Sequence, residues 1–396
     1  MEKVKMKAEN IKYYVFVAVM YILIFQDFLQ NNIKIFRYFD EILALMFIPY
    51  FIVYIIKYKK TFKIKKYDFI IVSNLIIIGI LGIVSNLKYQ YQPFYVAISD
   101  FLIFYKFFLV YYLTEIYMRN CSINEKIVKN IKIIILLLFV LSIFNYVFNI
   151  WQGDIRLGIK SNKIFYSHQT SFSAVLVFLL AILIRYKKKL INIYVVIIMI
   201  MLFSTLRMKA IGFGVLFFIL AIYVEKSNKK ISIQKLFVIG LILIACSFQH
   251  IKYYFITIDD SARAMLLKTS FEIANDHFPL GSGFGTYGSY FSGVKYSPIY
   301  KLYGIDHIFG IQPNNTMFLS DSFWPMILGQ FGYIAIIAYG VMIFMIFMKI
   351  QKSYTPENKN IYVSKLICLL YLLISSTAES AFVNPITIPL AILLAM

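Results

Sequence analysis

The chain has 396 residues, of which 61% are hydrophobic and only 15% charged, against roughly half and a quarter in soluble domains. That much apolar surface needs lipid as its solvent, which excludes an ordinary soluble enzyme. The net charge of +21 would signal nucleic acid in a soluble protein, but here the cations sit in short clusters between apolar runs. That pattern belongs to membrane topology and anionic lipid, and no nucleic-acid partner is expected.

In chain order, apolar runs fall near 13–29, 39–56, 68–87, 100–118, 131–150, 168–184, 190–206, 210–224, 234–250, 323–348 and 366–383. The first is too long for a signal-peptide core and no small-residue cleavage site follows it, so it is expected to stay as a span. A last run, 386–396, is short and is bent at its entry by Pro385 and Pro389. It reads as a half-span or a twelfth helix. The predicted fold is all-α, a polytopic membrane protein of about eleven or twelve transmembrane helices. Three parts follow: an N-terminal bundle over 1–250 with about nine helices, a large extracytoplasmic loop over 251–322, and C-terminal helices over 323–396. Cys121, Cys246 and Cys368 form no redox or metal spacing, and the latter two lie inside apolar runs, where they read as packing residues. No internal repeat is visible, which argues against transporters built on inverted repeats.

Basic residues set the orientation. With the N-terminus in the cytoplasm, 26 of the 40 Lys and Arg fall on inner segments and 13 on outer ones, with Lys106 inside a span. Lys57-Tyr-Lys-Lys and Arg185-Tyr-Lys-Lys-Lys189 are typical cytoplasmic stops. The segment 251–322 breaks the rhythm of short loops, and a loop of that length is uncommon unless it is functional. It opens with Asp259-Asp260-Ser261, an N-cap signal, followed by Ala264, Leu267, Phe271 and Ala274 at helical spacing. Arg263, Lys268, Glu272 and Asp276 fall on the opposite face, so an amphipathic helix lying on the outer membrane surface is predicted.

Cations on the outer side have no topological reason to be there. Arg156 lies just outside a span, Arg207 and Lys209 occupy the very short connection Leu206-Arg-Met-Lys-Ala, and Arg263 belongs to the amphipathic helix. Snorkelling to headgroups would explain any one of them. Together they have the chemistry to hold a diphosphate at the lipid–water boundary, Arg by its fork and Lys as a point charge. Asp321, Glu379 and His168 lie near the same boundary, where an acid is costly and functional by default. Asp321 is the first choice of base, with Glu379 and His168 next. Gly281, Gly283 and Gly285 in Pro279-Leu-Gly-Ser-Gly-Phe-Gly have the spacing of an anion-cradling loop, although such a run is more often a turn. No metal-ligand spacing is present.

The stretch from Arg263 through Phe278-Pro-Leu-Gly-Ser-Gly-Phe-Gly to Asp321-Ser322 and Gly329-Gln-Phe-Gly332 resembles the O-antigen polymerase and ligase superfamily. These are bacterial membrane glycosyltransferases that act on polyprenyl-diphosphate-linked sugars. The resemblance covers roughly 150–335, and the flanking helices match only as hydrophobic spans. The ligase branch carries a His followed by Asn, Ser or Gln, nine residues and Gly. Here Asp321-Ser322, nine residues and Gly332 fill that frame with Asp in place of His, which favours the polymerase (Wzy-type) branch. An Ile-, Lys- and Asn-rich composition points to an AT-rich genome, and so to a capsule or other surface polysaccharide as much as an O-antigen.

The resemblance implies an inverting transfer on the outer face of the cytoplasmic membrane, without nucleotide donor, metal or other cofactor. A sugar hydroxyl attacks the anomeric carbon of a lipid-linked chain and polyprenyl diphosphate departs. It implies Arg156, Arg207 and Arg263, supported by Lys209, as the diphosphate site, and a flippase and a chain-length regulator as partners beside membrane lipid. A ligase or a lipid-linked sugar transporter is the alternative.

Overall fold

The computed structural model describes residues 2–58, 64–118, 125–156, 158–186, 189–246 and 261–396. Cys121, Asp259 and Asp260, the basic residues at 59–60 and 187–188, and the end of the run 234–250 lie outside the described residues.

Helices dominate, in the order α1 (Glu2–Asn32), α2 (Phe39–Leu45), α3 (Phe47–Tyr58), α4 (Lys66–Tyr89), α5 (Phe94–Tyr117), α6 (Glu125–Phe148), α7 (Gln169–Arg185), α8 (Ile193–Ser204), α9 (Met208–Ser227) and α10 (Ile233–Cys246). The long loop contributes α11 (Ala262–Asp276), α12 (Tyr290–Val294) and α13 (Pro298–Leu302). Then come α14 (Phe323–Lys352), α15 (Lys359–Ser375) and α16 (Ile388–Ala395). Among the described residues, seven helical segments are long and apolar enough to cross a membrane, and three shorter apolar helices accompany them. The chain is a multi-pass membrane protein. Its outward faces agree: Ile76, Ile80 and Ile83 on α4 and Leu137, Val140 and Phe144 on α6 are exposed apolar side chains that only lipid would cover.

Several runs end differently from the sequence expectation. The run 39–56 breaks at Met46, where α2 gives way to α3. Pro49 stands three residues further on and has no N–H to continue the ladder. The run 366–383 stops at Ser375, and the run 386–396 forms only the buried half-helix α16. The fold is all-α as expected, apart from one short hairpin among the described residues, β1 (Ile155–Arg156) paired antiparallel with β2 (Ile159–Lys160), turned at Gly158 with φ of 73°. At the centre lies α7, apolar all round and buried from Ser171 to Arg185, with α15 and α16 packed on it.

The segment after 260 is a folded unit with a core of its own, built from Leu266, Ile273, Tyr287, Ile299, Tyr300 and Ile311. Ser261 caps α11 by accepting from the Ala264 N–H. The buried face of α11 is Leu266, Thr269, Ser270, Ile273 and Ala274, whereas Phe271 is exposed. Of the expected apolar face, Phe271 is exposed and Ala274 is turned inward, and the helix packs on α14 through small polar as well as apolar side chains. The Gly-rich run keys this unit into the bundle. Gly332 interrupts α14 with φ of 72°, and the Gly329 and Gln330 carbonyls next to the break accept from the Ser282 and Gly283 N–H groups at 2.9 and 2.8 Å.

Candidate functional site

A cavity of about 2030 Å³ opens between the bundle and the folded loop, at least twice an ordinary small-molecule site. Arg156, His168, Arg207, Lys209, Arg263, Asp321 and Glu379 all line it. Residues far apart in sequence and on separate elements are thus brought together.

Each is placed by a local break in regular structure. Leu206 takes a left-handed conformation (φ of 51°) between α8 and α9, which leaves Arg207 as the N-cap of α9 and Lys209 in its first turn. The hairpin carries Arg156 beside Asp154, whose carbonyl is pinned by the Ser161 N–H at 2.9 Å. Arg263 stands in the first turn of α11. Glu379 lies in the turn after α15, its N–H donating to the Ser375 carbonyl.

Cations and acids alternate around this stretch of the lining. Arg207 Nη2 donates to Asp154 Oδ2 at 2.9 Å and to Gln169 Oε1 at 2.6 Å, and it lies 2.8 Å from His168 Nε2. Lys209 Nζ meets Glu379 Oε1 at 2.6 Å, and Arg263 Nη2 meets Asp321 Oδ2 at 2.9 Å. Arg156 is more loosely held, 3.7 Å from Asp154. Four cations therefore face three carboxylates, which leaves one positive charge in excess before any ligand arrives. Arg207 Nε is buried without a hydrogen-bond partner among the described residues.

The acids and the histidine have distinct characters. Burial pushes the Asp321 carboxyl up from its ordinary 3.8, against the pull of the Arg263 guanidinium. Burial and the Arg207 charge push His168 down to about 4, so the ring is neutral near pH 7. His168 Nδ1 caps α7 by accepting from the Thr170 N–H at 3.3 Å and lies 2.8 Å from Thr170 Oγ1, while Nε2 faces Arg207 Nη2. With Nε2 so occupied, His168 positions Arg207 and is poorly placed to take a proton from substrate. Helix capping does not explain Asp321 either. The N-cap of α14 is Ser322, and Asp321 turns instead to Arg263.

Gly281, Gly283 and Gly285 do not line the cavity. Their N–H groups donate to the His277 carbonyl, the Gln330 carbonyl and the Asp100 carboxylate. A Cβ on Gly281 would come within 2.6 Å of the Gln330 backbone. The run approaches the protein's own backbone and forms a packing turn, the commoner of the two readings of such spacing. Nearby, His277 is fixed between Tyr91 Oη at 2.8 Å and the Ile273 carbonyl at 2.9 Å.

Sequence reasoning missed a second charged centre on the same cavity. Lys106, in the middle of α5, is buried against Asp40 and reaches Glu41 Oε1 at 3.2 Å. A lone lysine in mid-span demands an acidic partner, and Asp40-Glu41 at the start of an apolar run was the available signal. No protein-family model matches the chain, and no curated protein matches it in sequence.

Proposed function

We propose that this chain is an inverting membrane glycosyltransferase that joins polyprenyl-diphosphate-linked oligosaccharide units into a surface polysaccharide. The observation that carries the reading is the convergence of Arg156, Arg207, Lys209 and Arg263, with Asp321, on one large cavity between membrane helices. With the N-terminus inside, 26 basic residues fall on cytoplasmic segments against 13 outside, which supports a cavity on the outer face of a bacterial cytoplasmic membrane. The resemblance of 263–332 to O-antigen polymerases points the same way.

The chemistry follows from the side chains. As the anomeric C–O bond breaks, negative charge grows on the departing diphosphate, and preorganised cations stabilise that charge most where water is excluded. The site carries a net positive charge with each cation already oriented by an acid, so little reorganisation is needed when the charge develops. The acceptor hydroxyl must lose a proton, and Asp321 is suited to take it. Its carboxyl is shifted towards neutrality, and only Oδ2 is engaged by Arg263. The volume accommodates the sugars of two substrates side by side, which is what transfer between two lipid-linked chains requires.

The test is polymer formation by purified protein supplied with lipid-linked repeat units. Arg156→Ala, Arg207→Ala and Arg263→Ala should each abolish the ladder of chain lengths, and Lys at the same positions should restore it only in part because it lacks the fork. Full ladders from all three Ala variants would overturn the reading. A single transferred glycan in place of a ladder would make the enzyme a ligase.

A further inference from the structure

Gln169 and Ser161 are almost wholly buried, at 2% and 3% exposure. Neither is among the residues lining the cavity, yet the two link a pair of its arginines. Arg207 Nη2 donates to Gln169 Oε1 at 2.6 Å, and the other end of that amide, Nε2, donates to Ser161 Oγ at 2.8 Å. Ser161 Oγ in turn donates to the Asp154 carbonyl at 2.7 Å, and Asp154 Oδ2 accepts from Arg207 Nη2 at 2.9 Å. Four residues from the hairpin stem, α7 and the start of α9 thus close a ring. Arg156, two residues on from Asp154, approaches the same carboxylate oxygen at 3.7 Å.

The bonds of the ring run in one sense only. A guanidinium can only donate, so the amide oxygen of Gln169 must face Arg207 and its nitrogen must face Ser161. That nitrogen gives a hydrogen to Ser161 Oγ, which leaves the serine's own hydrogen for the Asp154 carbonyl. Glutamine offers an acceptor and a donor, whereas glutamate has acceptors only. A buried polar chain satisfied at every member is rigid. The hairpin side is anchored independently. The Ser161 N–H donates to the same Asp154 carbonyl at 2.9 Å, and the Asn162 N–H donates to the Ser204 carbonyl at 2.8 Å. Gly153 lets the stem close, since a Cβ there would collide with the Ser161 carbonyl. Among the described residues, every hydrogen bond to the Arg207 guanidinium is made at Nη2, which leaves Nη1 uncommitted.

We propose that Gln169 and Ser161 are positioning residues that fix Arg207 and Arg156 at one separation, and so make the site select a diphosphate over a single phosphate. This rests on the glycosyltransferase reading above and names what decides ligand choice at its cation site. A single phosphate needs one guanidinium and is indifferent to where the second stands. A diphosphate engages two at once, and the second contact is favourable only where its partner is already in place. Without the ring, the ligand itself would have to order Arg207 against the hairpin, and that cost falls mainly on the ligand with two phosphates. A carrier lipid is then held firmly while it bears both phosphates, and a lipid with one is held weakly.

The probes are inorganic diphosphate, titrated into the purified full chain by calorimetry, and inorganic phosphate, read by its competition with diphosphate. The wild type should bind diphosphate the more tightly. Gln169→Met keeps the length of the side chain without its amide, and Ser161→Ala removes only the hydroxyl. Each should weaken diphosphate about tenfold, the effect of having to order a long side chain on binding, and leave phosphate unchanged. The double variant should lose no more than Gln169→Met, because one break opens the ring as fully as two. Retained phosphate binding shows that a variant is folded, and Ser161→Ala carries the test if Gln169→Met does not fold. Equal losses of both probes would reduce the pair to packing and overturn the proposal, as would unchanged diphosphate binding. A loss in Gln169→Met beside a normal Ser161→Ala would also overturn it, since Gln169 would then act on Arg207 without the hairpin. If the wild type binds both probes equally, the selection falls and the cation site stands. If it binds neither, the glycosyltransferase reading falls with it.

Discussion

Asp321→Asn is the sharpest single perturbation of the site. The substitution keeps the side chain's shape and an oxygen for Arg263 Nη2, now 2.9 Å from Asp321 Oδ2, but removes the charge and the basicity. A hydrogen bond between charged groups contributes about 1.5–3 kcal/mol, and both side chains are about a quarter exposed, so solvent screening brings the loss nearer to about 1 kcal/mol. Burial of the carboxylate outweighs this, since the folded-state pKa is raised: ionised Asp321 destabilises the fold as pH rises above the ordinary 3.8, and Asn removes that cost. The melting temperature should therefore move by only a few degrees. Activity should fall about a hundredfold or more if the carboxylate takes the acceptor's proton, a larger effect than the change in stability. The wild-type rate should climb with pH along an acid limb lying above the usual carboxylate range, and the Asn variant should lack that limb. The assay is the initial rate of polymer formation across pH, with thermal melts on the same preparations. Near-normal rates from the Asn variant, or an unchanged acid limb, would refute the assignment and move the base to Glu379.

Gly283→Ala should cost several kcal/mol or prevent folding, because φ is 101° and the new Cβ would lie 2.8 Å from Asn86 Cγ. Gly158→Ala, with φ of 73° and open space around it, should cost only about 1 kcal/mol of backbone strain; equal losses in denaturation melts would show that contact is not what Gly283 avoids. His168 is pushed down to about 4 in the fold from an ordinary 6.5, so the unfolded chain takes up its proton first and His168 makes the fold less stable as pH falls from 6.5 towards about 4. His168→Asn should remove that decline and retain most polymerisation, and loss of all activity at pH 7 would make the ring more than an orienting group. A reporter inserted at Asn228, in the turn after α9, should read as cytoplasmic and one at Gly304 as external; a cytoplasmic signal at Gly304 would reverse the orientation.

The cation cluster was legible in the sequence because each member stands on a segment that an inside N-terminus would put outside, and such a placement has to be explained by something local. The span pattern was legible for the same reason that lipid-facing Ile and Leu are plentiful. What escaped was decided by partners distant in sequence. Thr269 and Ser270 face a helix and not lipid, which hydropathy alone could not show. The glycine spacing announced close approach correctly, but the thing approached is the backbone of α14, almost fifty residues on. Lys106 was visible as an oddity, yet its partners Asp40 and Glu41 lie across the bundle on α2 and read as the boundary of a span.

The carbonyls of Gly329 and Gln330 look to Ser282 and Gly283 for their donors, and this sets the unit in which such proteins can be recombined. Exchanging residues 261–322 alone for a homologous loop would leave a membrane helix with orphaned acceptors, and Asn86, which donates to the Phe284 carbonyl and accepts from its N–H, without its match. The transplantable module is the loop together with the end of α4, the start of α5 and the first third of α14. Because α14 is made after the loop, the loop must wait for the helix that completes it. Specificity in a chimera should therefore travel with that composite block and be lost when the loop is moved by itself.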